Sequence, residues 1–424
     1  MKPSLKLSLI LTLGSCALLS SCTQTECATP DYSRAECRVL AEGSYARLRS
    51  AEGVELRFQA VGASDDRETW AAQGLIGERE GVVFARVAHP GAFAISLRNT
   101  LASAQELELE LRNVHPAAEL EADALVEELE REGTRRLVRI SLPASGVTWV
   151  RGARPGRACA RPMRCAFLAD RQDNPTQFGA IVERIGIEAA QAEAAGELFG
   201  GAIIAGDLTE RSVEDEFRII ADVLDRAAVP FVLTPGNHDV YASHQPYYNQ
   251  NFGPGNYAFE LCGVHVALLD TGSGSIAESV LGRLPELFAA PEGSFSLVAM
   301  HHPPHAELSA GGWGREDVAH ITLGEFARQG GDLVLAGHAH MLREYELEAA
   351  GRELVELISG TAGAAQGAGQ PIFGYARLRF PAQTQQPSEP SYRDIERCFV
   401  EVPPPGGPAH AGTTTSSVSL CTEN

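Results

Sequence analysis

The chain contains 424 residues, which is long for one domain and sufficient for a large core plus an accessory module. Apolar residues make up 44% of it and aromatic residues 7%, as in an ordinary globular protein. The formal net charge of −20 repels polyphosphate backbones, so nucleic acid is not an expected partner. A substrate that carries phosphate would need local positive charge, which divalent metal ions can supply.

Residues 1–21 are typical of a secretory signal peptide, with two lysines, an apolar core over 7–19 and small residues before Cys22. The apolar core is shorter than the ~18–20 residues that span a bilayer. The run Leu-Ser-Ser-Cys at 19–22 resembles a bacterial lipobox, in which the cysteine is acylated and becomes the mature N-terminus. We therefore expect a lipid on Cys22 to anchor the protein in the bacterial cell envelope, facing the periplasm or the cell surface. An ordinary cleaved signal is the alternative.

Export would place the seven cysteines after Cys22 in an oxidising compartment, where disulfides form. The short spacings suggest the pairs Cys27–Cys37, Cys159–Cys165 and Cys398–Cys421, although spacing alone leaves the connectivity open. Cys262 is left over in an apolar strand, where we expect a buried and unreactive thiol.

A tether over 22–37 and a β-rich module over 38–152 are predicted next. The module contains short runs such as VELRFQAV and GVVFARV, in which apolar and polar residues alternate. Alternation with a period of two predicts half-buried antiparallel strands, and several such runs predict a small all-β, sandwich-like domain. The run ALVEELEREG could instead form a helix. The module has no cluster of His and Asp, so we predict a spacer or structural domain, followed by a linker over 153–165.

From residue 166 to about 381, short apolar runs alternate with amphipathic segments, which predicts an α/β layered domain with mixed sheets. Asn174 and Pro175 indicate the start of a helix. Further helices are predicted over 213–228, 276–289 and 316–329. Buried strands are predicted at CAFLA, GAIIA, PFVLT, FSLVAM and DLVLA, and a hairpin at NYAFELCGVHVALLD. Residues 382–424 are predicted to be a C-terminal extension with a low-complexity tail.

Each of the five predicted strands is followed by residues with oxygen or nitrogen atoms that can bind a metal. These are Asp170-Arg171-Gln172, Gly206-Asp207, Gly236-Asn237-His238-Asp239, His301-His302 and Gly337-His338-Ala339-His340. In an open α/β sheet the carboxyl ends of the strands form the ligand crevice, so we expect these residues to meet. Each motif alone has a simpler explanation, such as a turn, a helix cap or a surface histidine. Five in order, all at strand ends, favour a metal site.

The residue types fit two neighbouring metal ions. Ions about 3.5–4 Å apart need a shared ligand, and the carboxylate of Asp207 can bridge them. Imidazole nitrogens combined with hard oxygens suit Zn, Mn or Fe. His338 and His340 share a face of an extended segment, so one could reach each ion. Glycines before Asp207, Asn237 and His338 allow the backbone to approach the ions closely.

The ordered motifs D-x-[HQ], G-D, G-N-H-D, H-x-P and G-H-x-H resemble those of the calcineurin-like metallophosphoesterases, which include purple acid phosphatases and bacterial cyclic-nucleotide phosphodiesterases. The resemblance covers about residues 166–381. It implies a four-layer α/β/β/α sandwich, here preceded by the small all-β domain. It also implies a phosphoric ester hydrolase, either a phosphatase or a phosphodiesterase, with two transition-metal ions and a metal-bound hydroxide as nucleophile.

The resemblance also implies a role for each motif residue. The first ion would be held by Asp170, Asp207 and His340. The second would be held by Asp207, Asn237, His301 and His338. The H-x-P register chooses His301 over His302 as the ligand. His238 would contact the phosphoryl group and protonate the leaving oxygen, helped by Asp239.

Two positions differ from the family pattern. Gln172 stands where the first motif usually has histidine, so it would be a weak neutral ligand or none. Glu210 stands where the purple enzymes have a tyrosine, three residues after the bridging Asp207. No iron–tyrosinate bond is available from that position, and we expect no purple colour.

Arg171 and His302 are candidate substrate-binding residues, although Arg171 could equally be a solvated surface residue. The expected partner is a small phosphate ester, and the net charge disfavours a nuclease. The alternative function is a catalytically silent envelope lipoprotein that uses its β domain for binding. The departure at Gln172 favours that alternative weakly, and the otherwise complete ligand set disfavours it. The sequence leaves the natural substrate and the metal open.

Overall fold

The computed structural model describes residues 27, 31–50, 53–59, 71–154, 156–241, 244–366, 372–406 and 418–422. The predicted signal peptide, Cys22 and most of the predicted tether before residue 31 lie outside this part of the chain, as does most of the predicted tail. Within the described residues, no helix combines the length and the apolar character needed to cross a membrane.

The N-terminal part begins with helix α1 (Ala35–Tyr45), where the sequence predicted the end of a tether and the start of a β module. Ten strands follow: β1 (Arg47–Arg49), β2 (Val54–Gln59), β3 (Gly74–Arg79), β4 (Val82–Val87), β5 (Phe93–Asn99), β6 (Gln105–Arg112), β7 (Glu119–Ala122), β8 (Val126–Glu132), β9 (Arg135–Leu142) and β10 (Val147–Ala153). They form two five-stranded sheets, ordered β1-β2-β5-β10-β7 and β3-β4-β6-β9-β8. Alternate residues of both sheets, among them Phe58 and Val138, pack in one buried cluster. The possible helix in ALVEELEREG is instead strand β8, which pairs antiparallel with β9.

The second part has two sheets that both contain parallel and antiparallel strands. The strands are β11 (Met163–Leu168), β12 (Leu198–Ala205), β13 (Phe231–Thr234), β14 (Tyr257–Leu261), β15 (Val264–Leu269), β16 (Phe295–Met300), β17 (Leu333–Ala336), β18 (Leu342–Ala349), β19 (Arg352–Ser359), β20 (Gly374–Phe380) and β21 (Glu396–Glu401). The helices are α2 (Pro175–Ala194), α3 (Glu214–Asp225), α4 (Tyr247–Phe252), α5 (Glu278–Leu281), α6 (Leu284–Leu287), α7 (Ala306–Gly312) and α8 (Glu316–Arg328). The first sheet is ordered β13-β12-β11-β20-β21 and the second β14-β15-β16-β17-β19-β18.

These two sheets face each other across a buried apolar cluster that includes Phe167 and Leu297. A second cluster joins the outer face of the first sheet to α2 and α3 through Phe178 and Phe217. A third joins the outer face of the second sheet to α5, α6 and α8, with Phe326 at its centre. The layers therefore run helices, sheet, sheet, helices. The predicted α/β fold with mixed sheets is confirmed.

The predicted helix over 276–289 is two short helices, α5 and α6. Gly282 is the C-cap residue of α5, and Pro285 occupies the first turn of α6. Proline has no backbone N–H and clashes with the preceding turn in a helix interior, so the segment breaks before it.

Two of the three predicted disulfides are confirmed, Cys27–Cys37 and Cys398–Cys421. The predicted pair Cys159–Cys165 is wrong, because Cys159 is bonded to Cys262, 103 residues later. That bond joins a turn before β11, the central strand of the first sheet, to the turn between β14 and β15 at one edge of the second sheet. Cys262 is therefore not a thiol, and Cys165 is the free cysteine of the described residues, packed against the core between the sheets. Local spacing could not reveal a pair that only the facing of two sheets brings together.

Asn113 connects the N-terminal part to the edge of the first sheet. Its side-chain amide donates hydrogen bonds to the carbonyl oxygens of Val87, at 2.8 Å, and Phe231, at 2.9 Å. Its side-chain oxygen accepts one from the Phe231 N–H at 2.7 Å. Because β13 is an edge strand, this one side chain takes the place of a missing neighbour strand and satisfies both backbone groups of Phe231.

We expect Asn113→Ala to lower the free energy of unfolding by about 2–4 kcal/mol, since it leaves buried backbone donors and acceptors without partners. Asn113→Asp should destabilise the protein as well, because a carboxylate oxygen would face the carbonyl oxygens of Val87 and Phe231. Urea unfolding of the three proteins measures the effect. An Asn113→Asp protein as stable as the wild type would show that the donated bonds contribute nothing.

Candidate metal centre

The loops after five strands bring the predicted ligands together. Strands β11, β12 and β13 run parallel in the first sheet, and β16 and β17 run parallel in the second. Their carboxyl ends meet at one edge of the sheet pair, where two groups of side chains each lie within 4.8 Å of one another. One group is Asp170, Asp207 and His340, and the other is His301, His302 and His338.

Five of the predicted metal ligands have positive backbone φ angles, in the left-handed region that residues other than glycine seldom adopt. They are Asp170 (64°), Gln172 (46°), Asp207 (56°), His338 (65°) and His340 (44°). Such conformations persist only where the surroundings impose them, and they are concentrated at functional sites. Here the carbonyl of Asp207 accepts hydrogen bonds from the N–H groups of Arg171, at 2.9 Å, and Gln172, at 3.0 Å. The first two loops therefore hold each other in these conformations.

In the second group, acceptor atoms face one another. Nδ1 of His301 lies 2.8 Å from the carbonyl oxygen of Ala205, which can only accept, so the ring proton is on Nδ1. Burial lowers the pKa of His301 well below its ordinary value, so the ring is neutral and Nε2 carries a lone pair. That Nε2 lies 3.0 Å from Oδ1 of Asn237 and 3.3 Å from Oδ1 of Asp207. Two side-chain oxygens therefore face a nitrogen lone pair, an arrangement that a bound cation would stabilise.

In the first group, His340 likewise has Nδ1 at a backbone carbonyl oxygen and Nε2 near a ligand oxygen. Nδ1 of His340 lies 2.9 Å from the carbonyl oxygen of Ala365, and Nε2 lies 3.5 Å from Oδ1 of Asp170. The hydrogen-bonded carboxylate of Asp170 raises the pKa of His340. Burial, then the neighbouring charge of Asp170, raises the pKa of Asp207 well above its ordinary value. A metal ion bound among these groups would offset both the burial and the repulsion of the carboxylates, and the mixed N and O donors suit Zn, Mn or Fe.

Two glycines show how closely the loops approach the ligands. A Cβ atom on Gly236 would lie 2.2 Å from Oδ1 of Asp207 and 2.8 Å from Nδ1 of His301. A Cβ atom on Gly337 would lie 2.7 Å from Oδ2 of Asp170. The expectation that glycine permits this approach is confirmed at both positions.

His238 is at the open side of the centre, with its side chain 27% exposed. Its backbone N–H donates to Oδ1 of Asp207 at 2.9 Å. Its Nδ1 lies 2.9 Å from the carbonyl oxygen of Glu210 and 3.6 Å from that residue's carboxylate. The ring also meets the Tyr241 ring edge-on, with centroids 5.5 Å apart. These contacts fix a proton on Nδ1 and leave Nε2 as the atom that can face a substrate.

The resemblance implied that Asp239 helps His238, but the hydrogen bonds of Asp239 go to the loops around it. Its carboxylate is buried and accepts hydrogen bonds from the N–H groups of Gly236, at 2.9 Å, and Thr209, at 2.8 Å, and from the Thr209 hydroxyl at 2.9 Å. It therefore holds the loop after β12 against the loop after β13. The sequence contains a signal for this role, because Asp239 is three residues after Gly236, the capping position of a short helical turn.

Arg171 is neither a solvated residue nor exposed to a substrate, since it is 6% exposed. Its guanidinium donates to the carbonyl oxygens of Gln172 and Leu208 and so fastens the first loop to the second. His302 is 2% exposed and its ring packs against that of His338, with centroids 4.3 Å apart. Burial lowers the pKa of His302 to about 3. His301 rather than His302 lies next to the side chains of Asn237 and Asp207.

Residues 163–342 match the family model of the calcineurin-like phosphoesterases. A probable cyclic nucleotide phosphodiesterase of Fibrobacter succinogenes is 29% identical over 109 residues, which are 24% of this chain and 41% of that protein. The chain thus spans about two fifths of the length of this curated relative.

Among solved structures, PhoD is 10% identical with a TM-score of 0.42, over 78% of this chain and 92% of PhoD. GAP50, the anchor in the inner membrane complex of Plasmodium, is 13% identical with a TM-score of 0.39, over 57% of this chain and 85% of GAP50. The family match over residues 163–342 and the match to this relative both support the resemblance found in the motifs.

Asp207→Asn should lower the metal content of the purified protein below two ions per chain. The substitution removes a charge that lies within 3.4 Å of Gln172 and within 3.3 Å of His301, at the junction of the two groups. Elemental analysis after gel filtration measures the content, and Asp222→Asn on the exposed face of α3 is the matched control. Two tightly held ions in Asp207→Asn would show that this carboxylate does not bridge.

Gln172→His should tighten binding of the first ion, and Gln172→Ala should weaken it by no more than about a few-fold, because an amide oxygen is a weak ligand for a transition metal. The side chain is in position, since its amide group lies 3.2 Å from Nε2 of His340. Activity measured against free metal concentration compares the three proteins. If Gln172→Ala abolishes binding of both ions, the glutamine is a full ligand.

Proposed function

We propose that this chain, which carries a calcineurin-like phosphoesterase domain over 163–342, is a phosphoric ester hydrolase with a dinuclear metal centre. The observation that carries the proposal is the meeting of lone pairs at His301 Nε2, Asn237 Oδ1 and Asp207 Oδ1 within 3.3 Å. Side-chain oxygens that face an unprotonated ring nitrogen at these distances suit metal binding.

The ligands divide between the two ions as follows. The first ion would be bound by Asp170, Asp207 and His340, with Gln172 beside it, and the second by Asp207, Asn237, His301 and His338. The contacts of Asp207 with members of both groups support a bridging role. Metal ions bound in this way neutralise charge on phosphoryl oxygens and make a water-derived nucleophile available near neutral pH.

In ester cleavage, His238 would act as the general acid. In the protonated ring, Nδ1–H donates to the carbonyl of Glu210, and the proton on Nε2 can pass to the oxygen of the departing alcohol. The Glu210 carboxylate also lies 3.6 Å from Nδ1. Asp239 and Arg171 act on the loops rather than on the substrate, and buried His302 supports the ring of His338.

The substrate would be a small phosphate ester, a monoester or a diester, and not a nucleic acid, because the net charge of −20 opposes binding of a polyanion. The signal-like segment 1–21 and Cys22 support an envelope location with a lipid anchor. Mass spectrometry of the mature N-terminus tests the anchor, and an unmodified N-terminus at a residue other than Cys22 would refute it.

The experiment that tests the activity is a panel of p-nitrophenyl phosphate and bis-p-nitrophenyl phosphate, assayed with added Mn²⁺, Zn²⁺ or Fe²⁺ and combined with metal analysis. The proposal expects two ions per chain and turnover of at least one ester. Two bound ions without any hydrolysis would favour the catalytically silent alternative.

His238→Ala should retain the metal ions and lose about two to four orders of magnitude in kcat, the usual contribution of a general acid. The ester used should have a poor leaving group, since p-nitrophenolate departs without protonation. His320→Ala on the exposed face of α8 is the matched control. Loss of metal in proportion to activity would make His238 a ligand and contradict its assignment as the acid.

A further inference from the structure

Helix α1 lies more than a hundred residues before the family-matched segment, yet it inserts a charged side chain into it. Arg38 is 1% exposed, and its guanidinium forms a two-bond salt bridge with Asp270, in which Nε and Nη2 each lie 2.7 Å from a carboxylate oxygen. Nη2 also donates to the hydroxyl of Ser273 at 2.9 Å, and Nη1 donates to the carbonyl of Tyr32 at 2.7 Å. The guanidinium is therefore bound on all sides, and it fixes the loop over 270–274 to the helix.

A second residue of α1, one turn later, holds the same region. The buried carboxylate of Glu42 accepts hydrogen bonds from the Gly255 N–H, at 2.9 Å, and from the Asn256 side chain, at 3.3 Å. The Asn256 side-chain oxygen in turn accepts from the N–H of Asp270 at 2.8 Å. Arg38 therefore contacts Asp270 directly, and Glu42 is connected to it through Asn256.

The loop that Arg38 fixes is the support of the second metal group. The hydroxyl oxygen of Thr271, next to Asp270, accepts hydrogen bonds from the backbone N–H groups of His301, at 3.1 Å, and His302, at 3.0 Å. On its other side the loop touches the Asn237 loop, because a Cβ on Gly272 would lie 2.8 Å from the carbonyl oxygen of Gly236. The loop is thus wedged between two of the ligand-bearing segments.

We propose that Arg38 is a positioning residue for the metal centre, acting through Asp270 and Thr271 on His301, and that α1 is a working part of the site. This deepens the proposed function and rests on it. Without Arg38, the Asp270 carboxylate would be buried without its countercharge, and such a group draws in water or turns outward. Either movement shifts Thr271, which sets the backbone position of His301. The ligand geometry of a metal site tolerates little displacement, so affinity falls.

The chain offers a matched control in Arg86. That arginine is also 1% exposed, also joins the N-terminal part to the domain, and also pairs with a buried carboxylate, Asp225, at 3.1 Å. Its partner is at the end of α3, and neither residue contacts a ligand loop in the hydrogen bonds of the described chain. Arg38→Met and Arg86→Met each remove a buried ion pair between the N-terminal part and the domain, although Asp225 keeps Arg112 as a second partner at 3.4 Å. Only Arg38 lies beside the candidate metal centre.

The experiment measures metal affinity and thermal stability of full-length wild type, Arg38→Met and Arg86→Met. Metal-free protein is titrated with Mn²⁺ or Zn²⁺ by calorimetry. We expect both variants to lower Tm, and Arg38→Met alone to weaken binding of one ion, about tenfold or more, as loss of an outer-shell partner does. Affinity unchanged in Arg38→Met, or weakened equally in Arg86→Met, overturns the proposal.

A second pair of variants tests the same connection if Arg38→Met fails to fold. Thr271→Val removes the hydroxyl that accepts from His301 and His302 but keeps the side-chain shape, whereas Thr271→Ser keeps the hydroxyl. The proposal expects weakened metal binding in Thr271→Val and near wild-type binding in Thr271→Ser. Wild-type affinity in Thr271→Val overturns it. Because the readout is metal binding, a wild type that binds two ions but hydrolyses no ester refutes the proposed function and leaves this test intact.

Discussion

Acceptor atoms of the candidate metal ligands lie close together in a buried site, and the rest of this structure depends on that constraint. Nε2 of His301 has no proton because Nδ1 donates to Ala205 and burial keeps the ring neutral. It nevertheless lies within 3.3 Å of the side-chain oxygens of Asn237 and Asp207. Acceptor atoms that face one another in a buried site cost free energy, so the surrounding loops must hold them in place until a cation compensates.

Hydrogen bonds between the loops hold these atoms in place. Asp239, Arg171 and Thr271 each use a buried polar group to join two loops through backbone atoms. The strained φ angle at Asp207 lies in one of the loops that are braced in this way, and the backbone N–H of His338 donates to the carboxylate of Asp170. Asp239 and Arg171, which the sequence suggested as catalytic or substrate-binding residues, thus stabilise the loops. Their chemistry is indirect: they keep the ligands where a metal needs them.

The sequence predicted much of the centre, because strand ends and ligand types are local features. Asp170, Asp207, Asn237, His301, His338 and His340 each follow an apolar run, and the structure brings them to one edge. The roles of Asp239 and Arg171 were not predicted, since a carboxylate or guanidinium beside a ligand does not reveal where it points. The Cys159–Cys262 bond and the Arg38–Asp270 pair, 103 and 232 residues apart in sequence, depend on packing between distant segments that no local pattern encodes.

The candidate metal centre therefore depends on more of the chain than the segment that matches the family. Residues 163–342 contain every proposed ligand, but the ring of His340 is oriented by the carbonyl of Ala365 and the His301 loop is braced from Arg38. Outer-shell partners of this kind orient ligand rings and tune affinity. If an N-terminal lipid holds this chain at a membrane, the helix that follows the anchor is the same helix that braces the metal centre. Arg38 on that helix is bonded to Asp270, and Thr271 beside it accepts from the backbone N–H of His301.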